Sequence, residues 1–328
     1  MQLLSRRFLA ALAGIVFLAF TARPGGAEET VNYGVQPDTD PIYIAQELGL
    51  LAKIEKKDGV KIQFQSFSYG APENEAMASG ALQIASAGMG PAVVAAARLP
   101  ATLVGINILE QTAIIVPVDS TIKTVADLKG KTVAFPGEGS QQYPLLLKAL
   151  SDAGLQPSDI TLYKSTGPDI PILVENKKVD AGITWDPSIS VGLASGKCRV
   201  LVKAERIMPI MNGHYIGNGI YVRDDFMASH SQVVQDLVTA NVQAIAFILK
   251  HPDEAAKMWS KAIGLPENVV QYSLSKGISV YSLDVIPTQK TIDEYVAFLK
   301  AGNILKPGDN PKIDPRFAQQ ALAAAKAP

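Results

Sequence analysis

Four segments of the chain join small residues to the start of a helix: Gln36 to Pro41, Ser68 to Pro72, Gly88 to Pro91 and Gly137 to Tyr143. In each, a strand-like run ends, small residues permit close approach of the backbone (Gly in the last three), and a helical pattern begins. The first N–H groups of a helix lack intrahelical acceptors and carry partial positive charge, so such a turn suits an anionic oxygen. One such loop is ordinary, because βα turns use Gly and Pro routinely. Four in phase, all beyond the carboxyl ends of strands, mark the place where open α/β sheets bind ligands. A helix terminus contributes about 0.3–1 kcal/mol, up to ~2 when partly buried, so three supply about 1–6 kcal/mol. Micromolar binding needs about 8 kcal/mol. Side-chain hydrogen bonds and aromatic packing must therefore supply the rest. Trp185-Asp186-Pro187 closes a strand and reads either as a core Trp beside a helix cap or as the wall of a ligand site. His214-Tyr215 lies where the chain would recross between lobes, and reads as a solvated loop or a ligand contact.

Other chemistries fail on spacing. Gly88-x-Gly90 and Gly137-x-Gly139 lack the third Gly of a dinucleotide fingerprint, and Gly130-Lys131-Thr132 has Val125 where a phosphate loop needs Gly. Ser140 has Gln142 two residues on, so no nucleophile elbow is present. The three His (His214, His230, His251) and the single Cys198 are scattered, so neither a metal site nor a cofactor site is expected. Lys plus Arg at 30 against Asp plus Glu at 31, with no long like-charge run, gives no surface for nucleic acid. No catalytic residue is assigned.

The elements that position these loops alternate. Val31–Val35, Lys61–Phe67 and Leu82–Ala87 are strand-like, and each precedes a helix signal: Asp40 and Pro41 opening Ile42–Leu48, Gly70 to Pro72 opening Glu73–Ser79, Gly88 to Pro91 opening Ala92–Ala97. After Thr112–Val116 the grammar restarts with Thr132–Phe135, a Gly-rich loop and the helix Leu145–Ala153. Strands at Ile160–Tyr163, Ala181–Trp185, Arg199–Val202 and Gly219–Val222 follow, and then helices Val233–Lys250, Pro252–Ile263, Glu267–Lys276 and Thr288–Lys300. This is an α/β chain of two βα lobes with a helical C-terminal region. The expected crossings lie near 112–118 and 216–222, so the division is 28–115 and 218–328 for lobe 1 and 116–217 for lobe 2. Trp259, in the helical tail, is expected far from the ligand mouth.

Residues 1–27 read as a cleaved signal peptide: Ser5-Arg6-Arg7, an apolar run from Leu9 to Phe20, and small Gly25 and Ala27 before Glu28. Arg6-Arg7 leaves ordinary and twin-arginine export both open. No later segment approaches a bilayer span without charge or Gly/Pro breaks, and Glu28 rather than Cys heads the mature chain, so a free periplasmic protein is expected. Cys198 reads as a structural thiol in a buried strand.

Ile122-Lys123-Thr124-Val125-Ala126-Asp127-Leu128-Lys129-Gly130-Lys131-Thr132-Val133-Ala134-Phe135, with the Gly-Ser loop after it, resembles periplasmic solute-binding proteins of the aliphatic sulfonate, taurine and nitrate importers. Leu145–Leu150, Ala153-Gly154-Leu155, Val179-Asp180-Ala181 and Trp185-Asp186-Pro187 continue the resemblance, and Pro41-x-Tyr43-Ile44-Ala45, Ala78-Ser79-Gly80 and Gly264-Leu265-Pro266 are weaker echoes. The resemblance implies a type II, Venus-flytrap binding protein, a monomer without cofactor, that closes on a small organic anion and delivers it to an ABC permease with its ATPase. Carried over by position, ligand contacts fall at Gln36, Asp40, Tyr69, Gly70, Ala71, Met89, Gly90, Ser140, Gln141, Trp185 and Asp186. His214 and Tyr215 are individual to this chain and could serve an aromatic acid. Glu138 places an acid in the loop where sulfonate binders carry serines. A sensor ectodomain, or an enzyme on the same fold similar to the pyrimidine synthases, is the alternative.

Overall fold

The computed structural model describes residues 28–326, and the export segment read at 1–27 lies outside them. Among the described residues ten strands follow in order: β1 Glu29–Val35, β2 Val60–Ser66, β3 Ile84–Gly88, β4 Ala101–Ile108, β5 Thr112–Pro117, β6 Thr132–Phe135, β7 Thr161–Lys164, β8 Ala181–Trp185, β9 Cys198–Lys203 and β10 Asn218–Arg223. They form two sheets, β2-β1-β3-β10-β4 and β7-β6-β8-β5-β9. In the first, β1 pairs parallel with β2 and β3, and β10 pairs antiparallel with β3 and β4. The second repeats this plan, with β6 parallel to β7 and β8 and β5 antiparallel to β8 and β9. Each sheet thus carries one reversed strand, the first that the chain lays down on arriving from the other. Strands β3, β4 and β8 are buried at every position, as expected where helices cover both faces of a sheet, while β2 and β7 at the edges are partly exposed.

The first crossing comes earlier than expected. All of β5 belongs to the second sheet, so the chain changes sheets at 109–111, and the expected boundary at 115/116 falls inside a strand. The cause is β4, an unbroken buried run that was absent from the expected strands. The return begins with β10 at Asn218, and Gly217 N donates to Ile108 O at 2.8 Å, which lays the two crossovers side by side.

The helix Ser231–Lys250 is long and apolar enough to cross a membrane by composition, which the sequence reading did not anticipate. More than half of it is buried, and it packs on the helices Pro41–Glu47 and Arg316–Lys326. It is a core helix of the first lobe. The C-terminal region does not stay with that lobe throughout. The helix Glu267–Ser275 packs against Ser188–Ala194 of the second lobe, and the following segment runs back along the crossover, with Val280 N donating to Glu110 O and Ile106 N to Val285 O, both at 2.9 Å. This is a third connection between the lobes.

A candidate ligand cleft between the lobes

The four loops meet where the carboxyl ends of the two sheets face each other. In the first lobe, β1 leads into Gln36–Asp40. Asp40 caps the helix Pro41–Glu47, its Oδ1 accepting from Ile42 N at 2.8 Å, while Oδ2 accepts from Ser86 Oγ and from Asn107 Nδ2. All of this lies within the first lobe, so both oxygens of Asp40 are engaged by protein groups. The Gln36 amide donates to Glu73 Oε2 at 2.7 Å, also internally. Tyr69 precedes the helix Gly70–Ser79, whose start has no side-chain cap, and Lys164 Nζ stands 5.6 Å from the Tyr69 ring centroid.

Gln141 joins the lobes. Its Oε1 accepts from Gly90 N at 3.1 Å and its Nε2 donates to Gly217 O at 2.6 Å, while Met89 N donates to the same carbonyl at 3.0 Å. The N-terminal amides at Met89 and Gly90 are therefore engaged by protein. Ser140 turns its hydroxyl into its own loop, donating to Gly137 O at 2.7 Å. Gly139 lies against Ala71, and a Cβ there would come within 2.4 Å of the Ala71 Cβ. Glycine is required at this contact between the lobes.

Trp185, 3% exposed, ends β8 and reaches across: its Nε1 donates to Pro37 O at 3.2 Å. Its ring covers Gly167, where a Cβ would approach to 2.3 Å. The neighbouring Asp186 is fully used. Oδ1 accepts from Ser190 N and Oγ, and Oδ2 from the hydroxyls of Ser273 and Ser279. Asp186 thus ties β8 to the third connection and has no oxygen left for a ligand. His214 faces Glu205 in the return crossover between β9 and β10, with Nδ1 to Oε2 at 3.5 Å. Tyr215 is buried with its hydroxyl on that of Tyr295 at 2.5 Å. Both therefore face protein groups, where contact with an aromatic acid is the expectation. Trp259 is a further correction. Its Nε1 donates to Asp40 O at 3.0 Å and its ring stacks on Tyr281, whose hydroxyl donates to Thr39 O at 2.7 Å. The tail Trp thus braces the first cleft loop from beneath.

The residues that sequence reasoning missed are Asp38, Gln111 and Asn218. Asp38 Oδ2 accepts from Asn218 Nδ2 at 2.7 Å, which commits Asn218 Oδ1 to accept from Gln111 Nε2. The chain of amides leaves Gln111 Oε1 and Asp38 Oδ1 buried without a donor among the described residues. Asp38, Asp40 and Glu73 are buried together, and no Lys or Arg is buried among the described residues. Burial, then the Asp40 charge, holds the Asp38 carboxyl well above the usual carboxylate range, and burial does the same for Glu73. The interior beside Trp185 is therefore rich in acceptors, whereas the uncapped helix start at Gly70 offers donors. Asp38 could have been found as the acid inside the Gln36–Pro41 loop, but Pro37-Asp38-Thr39-Asp40 reads as a turn and a cap.

Residues 36–255 match the family described as NMT1/THI5 like. The chain is 30% identical over 264 residues to the putative aliphatic sulfonates-binding protein of Escherichia coli (strain K12), covering 79% of this chain and 80% of that protein. It is 28% identical to the taurine-binding periplasmic protein of the same organism, over 81% of this chain and 78% of the relative. Among solved structures, the alkanesulfonate-binding protein SsuA from Xanthomonas axonopodis pv. citri, bound to MOPS, superposes with a TM-score of 0.73 at 25% identity, covering 90% of this chain and 99% of that one.

Proposed function

The chain belongs to the NMT1/THI5-like family, and from that premise we propose that it is an exported receptor that closes its lobes on a small organic anion and delivers it to an ABC permease. The anion is one that also carries N–H donors, an amino-sulfonate of the taurine type. The observation that supports this choice is the pair of donorless acceptors, Asp38 Oδ1 and Gln111 Oε1, next to the loop that Trp185 grips. A buried acceptor without a donor is unfavourable by about 1–3 kcal/mol, more when charged, and an ammonium group placed there removes that deficit. The sulfonate end would take the N–H groups at the start of the helix Gly70–Ser79. A nitrate ion or a plain alkanesulfonate has no donor for Asp38.

The role is binding rather than catalysis. Cys198 is buried at the start of β9, and burial pushes its thiol up to about 11, which keeps it from acting as a nucleophile near neutral pH. Export to the periplasm accords with the relative named as periplasmic. A thermal-shift screen of taurine, longer amino-sulfonates, alkanesulfonates, nitrate and aromatic carboxylates tests the reading. Amino-sulfonates should raise the melting temperature most. Stabilisation by nitrate or aromatic carboxylates alone would overturn it.

A further inference from the structure

We propose that Glu110, Glu205 and His214 form a binding site for a divalent cation of the zinc type at the hinge between the lobes. Glu110 lies in the first crossover, His214 in the return crossover, and Glu205 on the short helix Ala204–Ile207 that leads into that return. One ligating atom from each lies within 4.8 Å of the other two. The three residues are scattered in sequence, so the expectation that His214 stands alone fails only when the chain folds.

A second observation points to a ligand. His214 Nδ1 is buried and has no hydrogen-bond partner among the described residues. Among the described residues, the Glu110 carboxylate, 1% exposed, is met only by two long backbone contacts, Thr112 N at 3.5 Å and Tyr215 N at 3.4 Å. The nearby Lys203 does not neutralise it, because its ammonium donates to Gly277 O at 2.7 Å. The imidazole is well placed to serve: the backbone around it is pinned by Ile210 N and Met211 N, which both donate to His214 O, and by His214 N, which donates to Met211 O. One imidazole nitrogen and two carboxylate oxygens suit zinc, or manganese and iron(II), better than a soft cation that needs thiolate. Ligand bonds to zinc are about 2.0–2.2 Å, which puts ligating atoms about 3.4 Å apart around a tetrahedral ion; His214 Nδ1 and Glu205 Oε2, at 3.5 Å, already meet this, so the approach needed is between Glu110 and that pair. Water fills the remaining position. A dication there balances two acids and clips the two crossovers on which the lobes turn.

Untagged protein stripped with a chelator and titrated calorimetrically with zinc chloride tests the site. One equivalent should bind with a dissociation constant of about micromolar or tighter. His214→Ala and Glu110→Gln should each weaken it by at least about tenfold. Circular dichroism and melting curves establish that each variant is folded, and Glu205→Gln gives an independent third variant should either of the others fail to fold. No uptake at about 100 μM zinc would overturn the proposal. So would uptake that none of the folded variants weakens, because zinc would then be bound elsewhere.

Discussion

The indole N–H of Trp185, at the end of β8 in the second sheet, donates to the carbonyl of Pro37, in the loop after β1 of the first, at 3.2 Å. The contact spans the cleft and holds the loop that carries Asp38. Trp185→Phe keeps an aromatic ring over Gly167 and removes the donor, which should weaken ligand binding by about 0.5–1.5 kcal/mol, or two- to tenfold, with little change in melting temperature. Unchanged affinity would remove this bond from the closed state. In the same variant Trp259 is the remaining Trp, and its bond to Asp40 O means that ligand should still alter its emission.

Asp38→Asn keeps the shape and removes the carboxylate that would form when an ammonium group binds. Taurine should lose about 2 kcal/mol of affinity, near thirtyfold, while ethanesulfonate binds the variant as it binds the parent. The charge also sets a pH dependence. Asp38 titrates well above the ordinary carboxylate range because of burial and then Asp40, and a bound ammonium group would lower it again. Binding therefore releases a proton, and taurine affinity should rise with pH from about 5 to 8 in the parent and stay flat in the variant. Calorimetry in buffers of different ionisation enthalpy checks the proton release.

Glu73 is buried between Gln36 and Gly34, and burial raises its carboxyl well above the usual value. With the folded value above the unfolded one, the protonated carboxyl favours the fold. Its stabilising contribution is complete below the unfolded value and lost as pH rises toward the folded one. Glu73→Gln stays neutral throughout. Its melting temperature relative to the parent should be near parity at about pH 4 and pull ahead at about pH 8. A variant equally displaced at both pH values would contradict this account of the buried acid.

Asp186 accepts from one backbone amide and three serine hydroxyls and joins β8 to the third connection. Asp186→Ala leaves those donors unpaired in the interior and should destabilise the protein by about 3–5 kcal/mol, read by urea unfolding. If stability were unchanged and only ligand affinity fell, Asp186 would belong in the cleft after all.

Much of the fold was legible because strand and helix periods repeat cleanly: the turn chemistry of Asp40-Pro41 and the three Gly-bearing loops placed the carboxyl ends of the strands correctly. The errors share a physical origin in long-range contact. β4 is buried at every position, Thr102 and Asn107 included, and shows no alternation, since both faces of its sheet are covered, and its loss displaced the crossover into β5. Nothing local in Gln141 signals that its amide spans to Gly90 and Gly217, nor in Trp259 that the tail folds under Asp40. Asp186 reads as a ligand acid until the serines of a distant segment arrive at it. The cleft loops were visible; the direction of each polar side chain within them was decided by partners far away in the chain.

Isothermal titration of the purified protein with taurine and with ethanesulfonate, side by side, tests the central claim most directly. The two ligands share the sulfonate and differ in the amino group that would meet Asp38 and Gln111. The account predicts that taurine binds at least about tenfold more tightly, a difference of about 1.4 kcal/mol. Ethanesulfonate binding as tightly as taurine, or more tightly, would contradict it.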